Sequence, residues 1–239
     1  MRLDRFLSEA GLGSRSQVKK ILKDNKVRVN GSFVQDGKFQ VNPESDEVFV
    51  GNDRILYQQY EYYLLNKPKG CVCANSDGKY PTVFDYVPMN AKKDLFTVGR
   101  LDLDTEGLLI ITNDGAFSHS IMSPKKHVDK TYLALWDKEA TADDVESFQL
   151  GMDIGDEKTT KPAKLSCDEK SPRDVYITIS EGRYHQVKRM SAKVGKEVLE
   201  LKRLQVGKFV LDGNLKPGEY RKFTKEELGY VEQYKGGSV

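Results

Sequence analysis

The chain is short of the residues that staple, chelate or anchor a protein. It has three cysteines, Cys71, Cys73 and Cys167, an odd and sparse set that argues against a disulfide framework and for a reducing compartment. Cys71-Val72-Cys73 lacks the paired spacing of a zinc site and reads as buried or strand cysteine. No apolar run approaches the ~20 residues that a membrane helix requires, so no membrane partner is expected. Met1-Arg2-Leu3-Asp4-Arg5 carries no secretory signal, which makes the cytoplasm the expected compartment. Internal repeats and low-complexity segments are missing too. Net charge is only +2, so affinity for nucleic acid has to come from segregated charge and not from overall balance. Against these absences stand 38% hydrophobic and 31% charged residues over 239 positions. That suffices for one large or two modest domains with a core beneath a charged surface.

The charge is indeed segregated. Leu3, Phe6, Leu7 and Ala10 fall at helical spacing, and a first amphipathic helix is expected to run to about Gly11. Ser14 followed by Gln17 is a capping box that opens a second helix, with Val18, Ile21 and Leu22 inward. Val27-Arg28-Val29 then alternates into Asn30-Gly31, a strong hairpin signal. Further strands are expected near Phe33-Val34 and Val48–Val50. From Arg15 to Arg28 there are six basic residues against one acid, Asp24. A merely soluble helix face usually mixes the signs, so an RNA-phosphate surface is the competing reading. Residues 51–60, polar around one apolar pair, read as an interdomain connection.

In the remainder, Gly99-Arg100-Leu101-Asp102-Leu103-Asp104-Thr105-Glu106-Gly107 crowds Arg100, Asp102, Asp104 and Glu106 into one turn before the apolar run Leu108–Ile111. An apolar run between Gly-bounded turns suits a buried strand, which sets the acids at the mouth of a sheet. A calcium loop also alternates acids in this way, but its sixth-position Gly and twelfth-position Glu do not both occur, and Arg100 stands where a metal would. Phe117–Met122 reads as a helix ended before Pro124. Lys130-Thr131-Tyr132-Leu133-Ala134-Leu135 alternates as a strand, where a lone tyrosine by itself is more often core than active site. A polar helix is expected over 141–149, and strands from Thr160 to Leu165 and over Val175–Ile179. A third cluster, Arg183 to Lys208, holds eight basic residues against Glu197 and Glu200, with Lys188 and Arg189 opening a helix after a Gly turn. His185 reads either as a general base or as a backbone anchor. It has no second His or Cys nearby, so no metal is expected. The tail, Lys216 to Val239, is expected to end in disorder at 235–239.

The helix-helix-Val-x-Val-Asn-Gly order of residues 1–55 resembles the S4 domain. That resemblance implies RNA contact through Arg15, Lys19, Lys20, Lys23 and Arg28. Gly99-Arg100-Leu101-Asp102 with Asp104-Thr105-Glu106-Gly107, Lys130-Thr131-Tyr132, and Gly182-Arg183-Tyr184-His185-Gln186-Val187-Lys188-Arg189-Met190 resemble, in this order, the aspartate, tyrosine and basic motifs of pseudouridine synthases. An S4 domain ahead of them is the arrangement of the RsuA family. Tyr184-His185-Gln186-Val187-Lys188 and Thr160-Lys161-Pro162-Ala163-Lys164 look like its small-subunit (16S) rRNA enzyme. A large-subunit (23S) target and a non-enzymatic RNA-binding or ribosome-assembly protein are the alternatives.

The resemblance implies an α+β chain. Residues 1–58 form an S4 (αL-type) domain, and 59–239 form a synthase domain on a mixed, largely antiparallel sheet flanked by helices and loops. It implies that a uridine in ribosomal RNA is isomerised without cofactor or metal. The RNA would sit within a small-subunit assembly intermediate, and the enzyme would act as a monomer. Asp102 is then the essential carboxylate, attacking C1′ or removing the C2′ proton. A closed pocket drives a carboxylate toward its neutral form, and a nearby cation opposes this. Lys188 is that cation, with Arg189 the alternative if the register shifts by one. Many synthases carry Arg at the matching place, where this chain offers a single ammonium in place of a bidentate guanidinium. Tyr132 stacks on the uracil. Arg100, Arg183, His185, Gln186 and Arg189 complete the RNA contacts.

Overall fold

The computed structural model describes residues 1–57, 60–87, 94–168 and 170–236. The chain divides into two compact units, the first built on Met1–Glu61 and the second on Tyr62–Met89 and Leu95–Val239. The expected boundary, between residues 58 and 59, lies outside the described residues.

In the first unit, α1 (Leu3–Glu9) buries Leu3, Phe6 and Leu7. The Ser14 capping box starts α2 (Arg15–Lys23), whose inner face is Val18 and Leu22, with Ile21 half-buried. Strands β1 (Val27–Val29), β2 (Ser32–Phe33), β3 (Val48–Val50) and β4 (Asp53–Ile55) form a sheet in the order β2-β1-β3-β4. Asn30 and Gly31 both take positive φ, 48° and 84°, as a tight hairpin turn of this type requires. Strand β4 corrects the reading of 51–60 as a connection. Its backbone pairs with β3 from Val48↔Ile55 to Val50↔Asp53, and these ladder bonds, with Ile55 packed on the core, hold a largely polar edge strand in place.

The second unit is a nine-stranded sheet. It contains β5 (Tyr62–Lys67), β6 (Phe96–Val98), β7 (Glu106–Thr112), β8 (Lys130–Trp136), β9 (Lys164–Asp168), β10 (Ser171–Ile179), β11 (Val198–Val206), β12 (Phe209–Val210) and β13 (Tyr220–Lys222). The order is β13-β5-β7-β11-β8-β10-β9, with β6 on β7 and β12 on β11. β7 and β11 run parallel, while the other pairs of this sheet are antiparallel. Helices α3 (Gly115–Met122), α4 (Ala142–Leu150), α5 (Gln186–Lys193) and α6 (Lys225–Gly236) accompany it.

From Gly107 to Thr112, β7 is buried throughout, as its uninterrupted apolar run foretells. In β8 burial alternates strictly, with Lys130, Tyr132, Ala134 and Trp136 inward. Gly107 has φ +107° and faces the Arg203 backbone so closely that a Cβ would lie 2.3 Å from its carbonyl oxygen. Only glycine allows β7 and β11 to approach this far.

Two local expectations change. Strand β9 starts at Lys164 and not at Thr160, because Thr160 is held in a loop by its own bonds to Met152 and Pro162 has no N–H for a ladder. Lys235 and Gly236 close α6 instead of being disordered; positions 237–239 lie outside the described residues. None of the helices, among the described residues, is long and apolar enough to cross a membrane.

Candidate active site

The acidic turn is the hairpin loop joining β6 to its antiparallel partner β7. It is pinned from below by Lys67, a fully buried residue at the end of β5. The Lys67 ammonium donates to the carbonyls of Asp102 (3.0 Å), Thr105 (2.9 Å) and Pro68 (3.1 Å). Gly70 N–H donates to Leu103 O at 2.7 Å and Thr105 N–H to Asp102 O at 3.1 Å. The backbone of Asp102 is thereby fixed while its side chain stays a third exposed. The expectation of a closed pocket around this carboxylate is therefore corrected.

Lys188 approaches from the first turn of α5. The helix begins at Gln186 behind His185, a left-handed residue with φ +49°. Trp136 of β8 donates to Ser191 at 3.0 Å and ties the helix to the sheet. The Lys188 ammonium lies 3.9 Å from Asp102 Oδ2 and 2.5 Å from Asp104 Oδ1. Two carboxylates of one loop compete for it, and Asp104 has the closer geometry. Burial draws the Asp104 carboxyl up, but the hydrogen bond and charge of Lys188 outweigh this and hold it below the usual carboxylate range. On the other side of Asp102, His185 Nε2 stands 3.4 Å from Oδ1. The His185 ring stacks on Tyr184, centroids 3.8 Å apart, and Tyr184 is 74% exposed. Hence the histidine faces the carboxylate and does not anchor backbone.

Asp102, Tyr132, Lys188, Arg100 and His185 line one cavity of about 510 Å³. Tyr132 belongs to the buried cluster around Trp136 and also faces the cavity, so the core and site readings of this residue both hold. Arg100 is exposed.

Three expected RNA contacts are instead committed to the protein. Gln186 is 3% exposed and exchanges bonds with Glu181 and Arg183 N–H. Arg183 is spent on Glu181 (3.2 Å), Lys158 O (2.5 Å) and Thr159 O (2.7 Å). Arg189, the alternative partner of Asp102, pairs with Asp156 at 2.7 Å and donates to the carbonyls of Ile154 and Tyr184. Side chains with these commitments brace the 153–159 loop and are poorly placed to reach phosphate.

In the first unit the expected basic residues face outward. Arg15, Lys19, Lys20 and Lys23 are exposed. Arg28 lies over the Phe49 and Phe33 rings, 5.4 and 6.0 Å from the centroids, and bonds Gly51 O.

Sequence reading missed Lys67, Lys130 and Arg203. Lys130 and Arg203 line the same cavity and are 5% and 2% exposed. A signal was available: Lys130 shares the inward parity of Tyr132, Ala134 and Trp136, and Arg203 that of Leu201.

The comparisons with known proteins bear on the same residues. The S4 domain model matches residues 1–48. The uncharacterized RNA pseudouridine synthase YtzG of Bacillus subtilis (strain 168) is 42% identical over 95% of this chain and 97% of its own. The ribosomal small subunit pseudouridine synthase A of Escherichia coli (strain K12) is 42% identical over 97% of this chain and all of its own length. A crystal structure of a pseudouridylate synthase, 39% identical, superposes with a TM-score of 0.68 over 97% of this chain and 99% of that one. With the RNA pseudouridylate synthase model matching residues 61–193, across the aspartate loop, β8 and α5, the chain belongs to the RNA pseudouridylate synthase family.

Proposed function

We propose that this protein isomerises a uridine of small-subunit (16S) ribosomal RNA to pseudouridine in the cytoplasm, acting as a monomer on an assembling particle. The observation that carries the reading is the convergence of Asp102, Tyr132 and Lys188 on one cavity from three separate elements. Asp102 is the essential carboxylate. Attack on C1′ and removal of the C2′ proton both need it ionised, and the Lys188 ammonium lies beside it for that purpose. Tyr132 offers the uracil a ring to stack on.

A target base inside folded RNA must first be extruded, at a cost of a few kcal/mol. Stacking on one aromatic returns about 1–3 kcal/mol, so phosphate contacts have to supply the rest and hold register. Arg100 at the cavity and Arg15, Lys19, Lys20, Lys23 and Arg28 of the S4 domain are the side chains for it. The target assignment is supported by relatives whose names specify the small ribosomal subunit.

The test is to map pseudouridine in both rRNAs from cells lacking the gene. One uridine of 16S rRNA is expected to stay unmodified, and the wild-type gene but not its Asp102→Asn version should restore it. Loss of a 23S site with 16S intact would move the target to the large subunit. No change in either rRNA would overturn the assignment. Purified protein given free 16S rRNA or partly assembled particles then decides the substrate form.

A further inference from the structure

Among the described residues, three buried side-chain polar atoms have no hydrogen-bond partner: Asn66 Oδ1, Thr105 Oγ1 and Arg203 Nη2. Two of the three, on Thr105 and Arg203, belong to residues lining the cavity that holds Asp102 and Tyr132. Arg203 is 2% exposed, and its one side-chain bond within the protein runs from Nε to Leu108 O at 2.9 Å. It sits on β11 directly across from Tyr132. Lys130, also lining the cavity, gives its ammonium to one acceptor, Val128 O at 2.7 Å. Burial first, and the charge of Arg203 second, push this ammonium down to about 8.

Among the described residues neither cation has a carboxylate within 4.0 Å, and Asp129 offsets the burial of Lys130 only from farther away. Other cations of this unit are satisfied, buried Lys67 by three carbonyls, Lys196 by Asp144 and half-buried Arg221 by Asp212 and Glu227. A buried cation without a counter-charge opposes folding. Its retention at a cavity points to a ligand that supplies the missing acceptors and negative charge.

We propose that Arg203 and Lys130 are the seat for the two carbonyl oxygens of the reacting uracil, holding the base while it is detached from the sugar. The inference rests on the uridine-isomerase reading. In either role of Asp102, the electron pair of the N1–C1′ bond leaves with the base and spreads onto O2 and O4, where two cations stabilise it. The base then turns about the axis through C6 and N3, which exchanges N1 with C5 and also O2 with O4. A pair of donors directed at the two oxygens is therefore presented with the same pattern before and after the turn. The C5 pair next forms the bond to C1′, the C5 proton is released and N1 takes one up, leaving no net change in atoms or electrons. The Thr105 hydroxyl is available to accept from N3–H, the group between the two carbonyls.

The experiment is single-turnover release of tritium from 5-tritiated uridine in the target RNA, after product formation by the wild type on that RNA has been verified. Absence of that product would defeat the underlying reading and not the seat. Arg203→Met and Lys130→Met are each expected to slow the step at least tenfold with RNA affinity within threefold, and Arg203→Lys to recover most of the loss. Because a core variant can fail to fold, the wild type is also given RNA with 2-thio- or 4-thiouridine at the target. Each sulfur, a poor acceptor, should slow the step at least tenfold, and the penalty should shrink in whichever folded variant lacks its donor. A folded Arg203→Met at wild-type rate, or thio-substituted RNA turned over at the rate of the parent, overturns the proposal.

Discussion

Positive charge is used in opposite ways in the two units. On α2 the lysines 19, 20 and 23 stand in solvent, each free to meet a phosphate and each screened by salt. Around the cavity of the second unit, Lys67, Lys130 and Arg203 are inside the fold and Lys188 is engaged by two carboxylates. The first arrangement is suited to affinity without exact placement. The second is suited to placement, and its cost falls on stability.

Substitutions at four places break or sharpen this contrast. Asp102→Asn, which keeps shape and removes charge, should lower turnover by roughly three orders of magnitude or more and leave RNA binding within about threefold; single-turnover product and filter binding read the two separately. Lys188→Met should cost about a hundredfold in rate, with Lys188→Arg retaining more. It should also release the Asp104 carboxyl toward its usual range. In the wild type the depressed Asp104 carboxyl adds stability above its unfolded pKa and loses it as pH falls through the lower folded value. Carboxylate titration by NMR should show that acid-side step moved to higher pH in the variant.

Lys130→Met tests the stability cost directly. An ammonium lowered from 10.5 to about 8 disfavours the fold by on the order of 3 kcal/mol at pH 7. Loss of the bond to Val128 O offsets about 1 kcal/mol of the gain. Thermal unfolding at pH 7 should therefore show the variant to be more stable, although it is slower in catalysis. The unfolded chain binds the extra proton between pH 8 and 10.5, so wild-type stability rises through that window and the difference fades. The smallest effect is expected on α2. Replacing Lys19, Lys20 and Lys23 together with Ala should weaken RNA binding and flatten the log–log salt slope by about 2, with the catalytic step on bound RNA unchanged.

What could be read in advance follows the same division. Local rules decided α1, α2 and the Asn30-Gly31 hairpin, since apolar spacing, a capping box and a positive-φ turn are all short-range. They also placed β7 after the acidic turn and made a strand of residues 130–135. Strand β4 was missed because an edge strand held mainly by backbone bonds needs no more than one packed apolar residue, here Ile55. The aspartate, tyrosine and lysine motifs were visible as motifs, but the bonds of Arg183, Gln186 and Arg189 within the protein were not. Their partners, Glu181 and the 153–159 loop, are met only through tertiary packing, and a basic residue spent on carbonyls looks the same in sequence as one left free. Arg203 was passed over for the converse reason, being counted with the basic cluster 183–208 when its side chain is buried beside the cavity.

The contact between Gly107 and the backbone of Arg203 couples what lies on either side of it. β7 carries the aspartate loop at its start and β11 carries the guanidinium, and no side chain separates the two strands at that point. Even a methyl group there would act as a wedge, shifting both reactive elements at once. The spacing between carboxylate and guanidinium is thus a mechanical property of one missing carbon atom, and drift at this position has no small steps available to it.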